Sequence, residues 1–255
     1  MKVFILCGGY GTRLDYEGKT IAKPMVKIGQ KPILMHIIEN FNKQNFNEFV
    51  ICLGHKSETI IDYFLKEKKR YVQIIKKKKN NIYLKFNFKK NFFFINLINT
   101  GVKTGTGGRL LIANKILGLC EDIMMTYGDG LSNINVKKLK NFHYKNKAEV
   151  TLTAVRPKQR YGIIGIENNI INFFDNSNKK VNTYINGGFF VISKNAIKKI
   201  KKNSTYWEKE PMTYFIKKKK LFAFKHNGFW KSLDTLKDKN DFNLMIKNKN
   251  KPWVI

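Results

Sequence analysis

A glycine loop and a few charged residues carry the chemistry that this sequence can perform. The loop follows the first apolar stretch and contains Gly8, Gly9, Tyr10, Gly11, Thr12 and Arg13. Glycines directly after a β-strand let backbone N–H groups approach a phosphate, because no Cβ stands in the way. Arg13 and Lys23 place two cations beside this loop. We therefore expect a triphosphate ligand, because departing pyrophosphate requires neutralisation of its charge.

Two familiar glycine loops do not fit this segment. It contains no Gly-Lys-Ser or Gly-Lys-Thr, which excludes a Walker A loop, and Leu14 stands where the dinucleotide fingerprint needs its last glycine. A tight turn with a solvated Arg13 is the alternative interpretation.

Two aspartates are candidate ligands for Mg²⁺. Asp129 stands between Gly128 and Gly130 after an apolar run, and Asp234 follows Leu233 near the end of the chain. Open α/β sheets bind ligands at the carboxyl ends of their strands, so Asp129 should face the same crevice as the glycine loop. Mg²⁺ is usually held by one or two carboxylates together with substrate phosphates and water. Taken singly, each residue could also be an ordinary turn aspartate.

The elements that must position these residues follow a strand–helix order. Short continuous apolar runs are typical of buried parallel strands, and alternation with helices implies right-handed crossovers. Ser57 is predicted to cap the second helix. The predicted strands are 3–7, 49–53, 122–127 and 149–155, and the predicted helices are 32–42, 57–65, 110–117 and 136–145.

We expect one α/β domain over residues 1–255, with a Rossmann-like, mostly parallel mixed sheet flanked by helices. Residues 66–99 predict a β-rich, hairpin-like insertion, in which the run from Phe92 to Phe94 indicates an oligomer contact. Residues 156–255 predict a mixed α/β portion. Its strands are 163–166, 188–192 and 221–225, and its helices lie near 207–217 and 236–247.

The net charge of +31 arises from 44 lysines and only 5 arginines among 255 residues. Proteins that read nucleic acids rely on arginine, whereas these lysines are scattered along the whole chain. We interpret them as a solvated surface and expect no specific nucleic-acid partner. A lysine-rich nucleic-acid-binding module remains the alternative from another class, with Lys85 to Lys89 as its candidate contact.

Cysteine usage and hydropathy indicate a cytoplasmic protein. The three cysteines, Cys7, Cys52 and Cys120, are an odd number without a CxxC pair, which argues against disulfides and zinc. No apolar run approaches the roughly 18 residues of a membrane span, so no membrane partner is expected.

Segments spread along the whole chain resemble the sugar-phosphate nucleotidyltransferases, and most closely the glucose-1-phosphate cytidylyltransferase family. The Thr-Gly-Gly-Arg-Leu and Tyr-Gly-Asp-Gly segments point to the cytidylyl branch. The matching segments occur in family order and comprise residues 8–14, 23–26, 100–101, 106–110, 127–130, 185–190, 207–211, 226–230, 234–240 and 252–253.

The resemblance implies the nucleotidyltransferase fold, a homo-oligomer, and transfer of CMP from CTP to a phosphorylated small molecule with release of pyrophosphate. It implies catalytic roles for Arg13, Lys23 and Asp129, and a Mg²⁺ cofactor held by Asp129 and Asp234. A CTP-binding regulator without activity would have lost one of Lys23, Asp129 or Asp234, and all three are present. The implied nucleotide-binding residues are Leu6, Cys7, Gly8, Gly9, Tyr10, Gly11, Thr12, Arg13, Lys23, Thr104, Arg109 and Gly128.

The sequence departs from the family where the acceptor phosphate should bind. Relatives carry Glu-Lys-Pro there, whereas this chain has Asp175, Asn176 and Ser177. Loss of one charged hydrogen bond should cost about 1.5–3 kcal/mol of acceptor binding. The pattern favours L-glutamine phosphate, as in CTP:phosphoglutamine cytidylyltransferases, giving CDP-L-glutamine for capsule phosphoramidate biosynthesis; glucose 1-phosphate is the alternative. Candidate acceptor-binding residues are Tyr161, Asp175, Lys179, Asn186 and Asp234.

Overall fold

A nine-stranded sheet forms the centre of the described part of the chain in this computed structural model. The structure describes residues 1–11, 20–88, 91–157, 163–167, 170–175 and 184–255, with backbone alone at 88, 91, 163–167 and 170–175. The strands are β1 (Val3–Cys7), β2 (Lys27–Ile28), β3 (Lys31–Pro32), β4 (Glu48–Leu53), β5 (Val72–Lys78), β6 (Asn81–Phe88), β7 (Asn91–Asn99), β8 (Ile123–Tyr127), β9 (Gly130–Ser132), β10 (Val150–Val155), β11 (Ile163–Glu167), β12 (Ile170–Asp175), β13 (Ile185–Ile192), β14 (Leu221–His226) and β15 (Trp230–Ser232).

The helices alternate with these strands and cover the sheet. A 3₁₀ turn at Lys23–Met25 precedes the first of them, and a π-helical turn at Tyr63–Glu67 continues the second. No helix within the described ranges is both long and apolar enough to cross a membrane. The helices are α1 (Ile33–Lys43), α2 (Ser57–Asp62), α3 (Thr106–Leu117), α4 (Val136–Lys145), α5 (Lys194–Ile197), α6 (Glu210–Lys217) and α7 (Leu236–Lys247).

The sheet confirms the predicted fold class of a mostly parallel mixed sheet flanked by helices. Its order is β14-β10-β13-β8-β1-β4-β7-β6-β5, with parallel pairing from β8 through β1 and β4 to β7. Strand β13 runs antiparallel to both β8 and β10. Both faces of β1 are buried, because Ile5 packs into one apolar cluster and Phe4 into the other. A continuous apolar run therefore gives a central strand.

Strands β5, β6 and β7 form the predicted β-rich insertion as an antiparallel extension of the sheet. Phe93 is buried and stacks on Phe86 with ring centroids 4.9 Å apart, while Phe94 stacks on Tyr83 at 5.9 Å. Phe92 is 47% exposed. The expectation that the whole phenylalanine run needs a partner is therefore wrong for Phe93, because alternation along the strand buries it within its own chain. Homo-oligomerisation remains a prediction.

Three predicted helix starts differ from the structure. Ser57 is the first helical residue rather than the cap, because Lys56 occupies the N-cap position with a left-handed φ of 54°. Helix α6 begins at Glu210, three residues later than predicted, with Pro211 in its first turn, where proline is tolerated. Helix α3 begins at Thr106 instead of residue 110, because its glycines, poor helix formers, are held by contacts distant in sequence.

Candidate active site

A cavity of about 510 Å³ opens at the carboxyl ends of β1 and β8, where an α/β sheet binds its ligands. Every predicted nucleotide-binding residue that the structure describes lines it, whereas Thr12 and Arg13 lie outside the described residues. The lining residues are Leu6, Cys7, Gly8, Gly9, Tyr10, Gly11, Lys23, Pro24, Val102, Lys103, Thr104, Thr106, Arg109, Tyr127, Gly128, Asp129 and Tyr206.

Arg109 lies on α3 and joins the carboxyl ends of three parallel strands. The residue is 4% exposed, and its guanidinium bonds to neutral oxygens at the end of β4 and in the loops after β1 and β7. Burial lowers the pKa of Arg109, yet the group stays charged at neutral pH. The guanidinium is therefore a buried cation that favours an anionic ligand in the cavity. Nη1 donates to Leu53 O (3.0 Å), Thr100 Oγ1 (2.7 Å) and Gly101 O (2.8 Å), and Nη2 donates to Gly8 O (2.8 Å) and Val102 O (3.3 Å).

Two glycines make room for this guanidinium. A Cβ on Gly8 would lie 2.1 Å from Arg109 Cζ, and a Cβ on Gly54 would lie 2.4 Å from Nη1 and 2.7 Å from Gly8 Cα. These separations are far below van der Waals contact, so a side chain at either position would displace the guanidinium or the adjoining backbone. The absence of a side chain at Gly8 therefore leaves room for the Arg109 guanidinium as well as for an approaching phosphate.

Cys7 lies in the cavity wall but has no nucleophilic character. Burial raises the pKa of its thiol well above the ordinary range. Because the thiolate rather than the thiol is the nucleophile, Cys7 contributes a neutral surface to the cavity.

Lys23 holds the two predicted metal ligands together. Its Nζ donates to Asp129 Oδ2 at 2.6 Å and to Asp234 Oδ1 at 2.8 Å. Burial on its own would lower the pKa of Lys23, but the carboxylates of Asp129 and Asp234 outweigh it and raise that pKa. Two aspartates far apart in sequence thus converge on one cationic group.

This carboxylate pair fits a hard divalent cation. Both residues offer oxygen, the ligand that Mg²⁺ prefers, and both carboxylates lie against Lys23 Nζ, which now neutralises them. Among the described residues, no cluster of three or more His, Cys, Asp or Glu side chains has metal-binding geometry. Two carboxylates suffice for Mg²⁺, because phosphates and water complete its coordination. The metal-binding role of Asp129 and Asp234 stays a prediction.

Asp234 is fixed in place at the start of α7. Ser232 Oγ donates to its Oδ2 at 2.6 Å, and its backbone N donates to Asp238 Oδ2 at 3.1 Å. Asp238 is buried, forms a capping box with Thr235 and accepts a 2.9 Å bond from Lys231 Nζ. The carboxylate of Asp234 is therefore oriented by side chains and backbone of its own segment.

Glu208 connects the end of β8 to the start of α3. Its carboxylate accepts hydrogen bonds from the hydroxyls of Tyr127 and Thr106, the latter at 2.5 Å. Burial and the Glu208 carboxylate raise the pKa of Tyr127 well above its ordinary range, so its hydroxyl remains a donor. No role was predicted for Glu208, although it belongs to the Trp-Glu-Lys-Glu-Pro segment that carries the resemblance.

A second cavity of about 240 Å³ adjoins the first and shares Tyr127 and Asp129 with it. Of the predicted acceptor-binding residues, Asn186 and Asp234 line this cavity. Asp175 ends β12, and Tyr161 and Lys179 lie outside the described residues. The other lining residues, which were not predicted, are Thr126, Gly130, Gly187, Gly188, Phe189, Trp230 and Ser232.

Comparison with known proteins places this arrangement in a family. The sequence model described as Nucleotidyl transferase matches residues 2–245. The chain belongs to the nucleotidyl transferase family.

Named relatives extend over the whole of this nucleotidyl transferase chain. A glucose-1-phosphate cytidylyltransferase of Salmonella typhi is 34% identical over 253 residues, covering 99% of this chain and 98% of the relative. A probable glucose-1-phosphate cytidylyltransferase of Bacillus subtilis is 34% identical over 256 residues, with complete coverage of both chains.

Solved structures share the fold. A putative glucose-1-phosphate thymidylyltransferase from Bacillus anthracis superposes with a TM-score of 0.68 at 16% identity, covering 98% of this chain and 97% of that one. HddC from Yersinia pseudotuberculosis superposes with a TM-score of 0.68 at 22% identity, covering 96% and 99%. The family model and the named relatives show that this nucleotidyl transferase is an enzyme, and the solved structures share the fold that carries its two adjoining cavities.

Proposed function

We propose that this enzyme transfers CMP from CTP to glucose 1-phosphate, forming CDP-glucose and pyrophosphate. The observation that carries the proposal is the junction of the two cavities at Asp129, where Lys23 and both carboxylates converge. A nucleotide in the larger cavity and a phosphorylated acceptor in the smaller one would meet there. CTP and glucose 1-phosphate are taken from the names of the full-length relatives that share 34% identity.

The reaction would be a direct displacement at phosphorus. An oxygen of the acceptor phosphate attacks the α-phosphorus of CTP and forms a P–O bond. The bond from the α-phosphorus to the oxygen bridging to the β-phosphate breaks, and its electron pair leaves with pyrophosphate. A phosphate monoester has a second pKa of about 6, so the attacking oxygen needs no general base at neutral pH. The enzyme's task is positioning and charge stabilisation.

The residues of the chain divide this task. Arg109 would hold the carboxyl ends of β1, β4 and β7 together around the nucleotide, since it bonds at all three. Lys23 would supply positive charge at the reacting phosphate. For Arg13, which lies outside the described residues, neutralisation of the departing pyrophosphate is proposed from the resemblance alone.

Asp129 and Asp234 would hold Mg²⁺ through their carboxylate oxygens once Lys23, whose ammonium lies between them, has turned to the phosphate. When bound, the ion supplies neutralisation of the negative charge on the triphosphate oxygens. The two carboxylates would therefore be needed in their ionised form. Ser232 and Asp238 would support Asp234 by fixing its carboxylate and its backbone.

L-glutamine phosphate is the second candidate acceptor. It is favoured by one specific observation, the presence of Asn176 where the family has a lysine for the sugar phosphate. The names of the full-length relatives favour glucose 1-phosphate more directly. The two acceptors differ in shape and charge but would use the same cytidylyl transfer.

Pyrophosphate release from CTP and Mg²⁺ tests both acceptors in parallel. Each acceptor is supplied at several concentrations, and reactions lacking acceptor are the blank. UTP, ATP and GTP replace CTP as the donor in separate reactions. The proposal expects CTP to be the preferred donor and glucose 1-phosphate the faster acceptor. Faster turnover with L-glutamine phosphate would show that this compound, and not glucose 1-phosphate, is the acceptor. Preference for another nucleotide would overturn the proposed cytidylyl transfer.

A further inference from the structure

We propose that the aromatic ring of Tyr206 stacks on the base of the bound nucleotide and holds it in the larger cavity. This inference rests on the proposed function, because it concerns a nucleotide bound in the same site. It names a binding residue that neither the motifs nor the resemblance assigned.

The position of the reacting phosphate indicates where the base must lie. Tyr127 and Asp129 line both cavities, so the α-phosphate belongs beside them. The base must then occupy a part of the larger cavity that the acceptor does not reach. The lining residues contributed there by α3, its preceding loop and the 203–209 segment are Val102, Lys103, Thr104, Thr106, Arg109 and Tyr206. Tyr206 is the aromatic residue of that set, whereas Tyr10, the other exposed tyrosine of the cavity, lies in the glycine loop with its ring 5.1 Å from that of His55.

The backbone presents Tyr206 to the cavity from a firmly held segment. Thr205 O accepts from Gly108 N at 3.0 Å, and Trp207 N donates to Thr106 Oγ1 at 2.8 Å. Both neighbours of Tyr206 are thus bonded to the first turn of α3. A Cβ on Gly108 would lie 1.8 Å from Asn203 O, so the glycine permits this close approach.

The ring itself remains accessible although its backbone is fixed. Tyr206 is 54% exposed, whereas the adjacent Trp207 is completely buried. Lys209 Nζ lies over the Tyr206 ring, 5.2 Å from its centroid, so a base would stack on the opposite face of the ring. An ordered but exposed aromatic ring in the wall of a nucleotide cavity offers a stacking surface at small entropic cost.

Stacking should contribute to affinity for the nucleotide and little to the choice of base, because every base has a π-face. Loss of the ring should therefore weaken the binding of CTP and of the other nucleoside triphosphates by the same factor. If the Tyr206 ring served folding alone, its removal would lower stability without an equal loss of affinity for all nucleotides. A role of the hydroxyl group would be lost in the phenylalanine variant.

Calorimetric titration with CTP and Mg²⁺, in the absence of acceptor, tests this inference. Tyr206→Ala should raise the Kd for CTP about tenfold, the effect expected for one base–aromatic stack, while Tyr206→Phe should retain wild-type affinity. The KM for CTP should rise by the same factor and the KM for the acceptor should not change. Tyr214→Ala, which removes a partly exposed tyrosine of α6 outside the cavity, is the matched control.

Wild-type affinity in Tyr206→Ala, or equal losses in the alanine and phenylalanine variants, would overturn the stacking role. UTP, ATP and GTP are titrated alongside CTP. If the wild-type enzyme binds one of these and not CTP, the proposed function fails. The effect of Tyr206→Ala on the nucleotide that does bind then still decides the role of the ring.

Discussion

The two cavities meet at Asp129 but are built in different ways. The larger cavity is held together by one charged side chain, because Arg109 binds oxygens at the carboxyl ends of three parallel strands. The smaller cavity has walls from the short antiparallel pair β9–β15 and from β13. There, separate neutral side chains bind the backbone: Trp230 Nε1 donates to Gly187 O at 2.7 Å, and Asn186 Oδ1 accepts from Gly188 N at 2.8 Å.

This difference explains where the chain can vary. A change at Arg109, or at the glycines that admit its guanidinium, would disturb three strand ends of the larger cavity at once. In the smaller cavity, each neutral side chain can be substituted without removing the others.

Removal of the charge at the junction should have the largest effect. Asp129→Asn should reduce turnover by orders of magnitude, because both cavities share this carboxylate and Lys23 pairs with it. The residue is partly exposed, so the variant should fold. Pyrophosphate release and thermal unfolding measure the two effects. Asp62→Asn, at an exposed pair with Lys66 on α2, is the control. Undiminished turnover in Asp129→Asn would contradict the role of this carboxylate.

A side chain at Gly54 should damage the larger cavity more than the smaller one. Its Cβ would collide with Arg109 and with the backbone of Gly8, and overpacking of this kind costs about 1–3 kcal/mol of unfolding free energy. Gly54→Ala should therefore lower Tm and weaken CTP binding, while the KM for the acceptor changes less.

Gly9→Ala is the stability control for this comparison, since a Cβ at Gly9 meets no atom within 4 Å. Thermal unfolding of both variants should show a loss at Gly54 alone. An unchanged Tm in Gly54→Ala would mean that the loops can separate from the guanidinium.

The sequence was sufficient to predict which residues meet where the two cavities join, but not the contacts that surround them. Lys23, Asp129 and the glycine loop could be brought together because each is placed by a strand end or its adjoining loop on one edge of a parallel sheet. Glu208 and Tyr206 could not be placed at the site from the sequence. Their positions depend on backbone hydrogen bonds between the 203–209 segment and the first turn of α3. Such contacts leave no periodic pattern. The glycines from 105 to 108 were the available signal.

Substitution of Glu208 should have a moderate effect on activity. Its carboxylate joins Thr106 of the larger cavity to Tyr127, which lines both cavities. Glu208→Gln weakens two charge-assisted hydrogen bonds at an exposed position, for which about 1 kcal/mol is expected. The value of kcat/KM should fall about fivefold. Glu210→Gln, two residues away at the start of α6, is the matched control, and equal losses in the two variants would remove the bridging role of Glu208.

Acid should weaken the packing around α1 slightly. His36 is buried on α1, where its Nε2 faces Ile28 O at 3.0 Å, and burial lowers its pKa from 6.5. Because the folded state binds this proton less readily, the stabilisation is present above pH 6.5 and declines as the pH falls. Thermal unfolding of the wild type and His36→Gln at pH 7.5 and 5.0 should show a smaller acid-induced loss in the variant. An identical loss would exclude His36 as a contributor.

The most direct test of the central claim measures how Mg²⁺ and CTP binding depend on each other. The Kd for CTP is determined with Mg²⁺ and with EDTA, for the wild-type enzyme and for the double variant Asp129→Asn, Asp234→Asn. If the two carboxylates that surround Lys23 hold the metal, Mg²⁺ should tighten CTP binding in the wild type and have little effect in the double variant. The same gain from Mg²⁺ in both proteins would contradict the account.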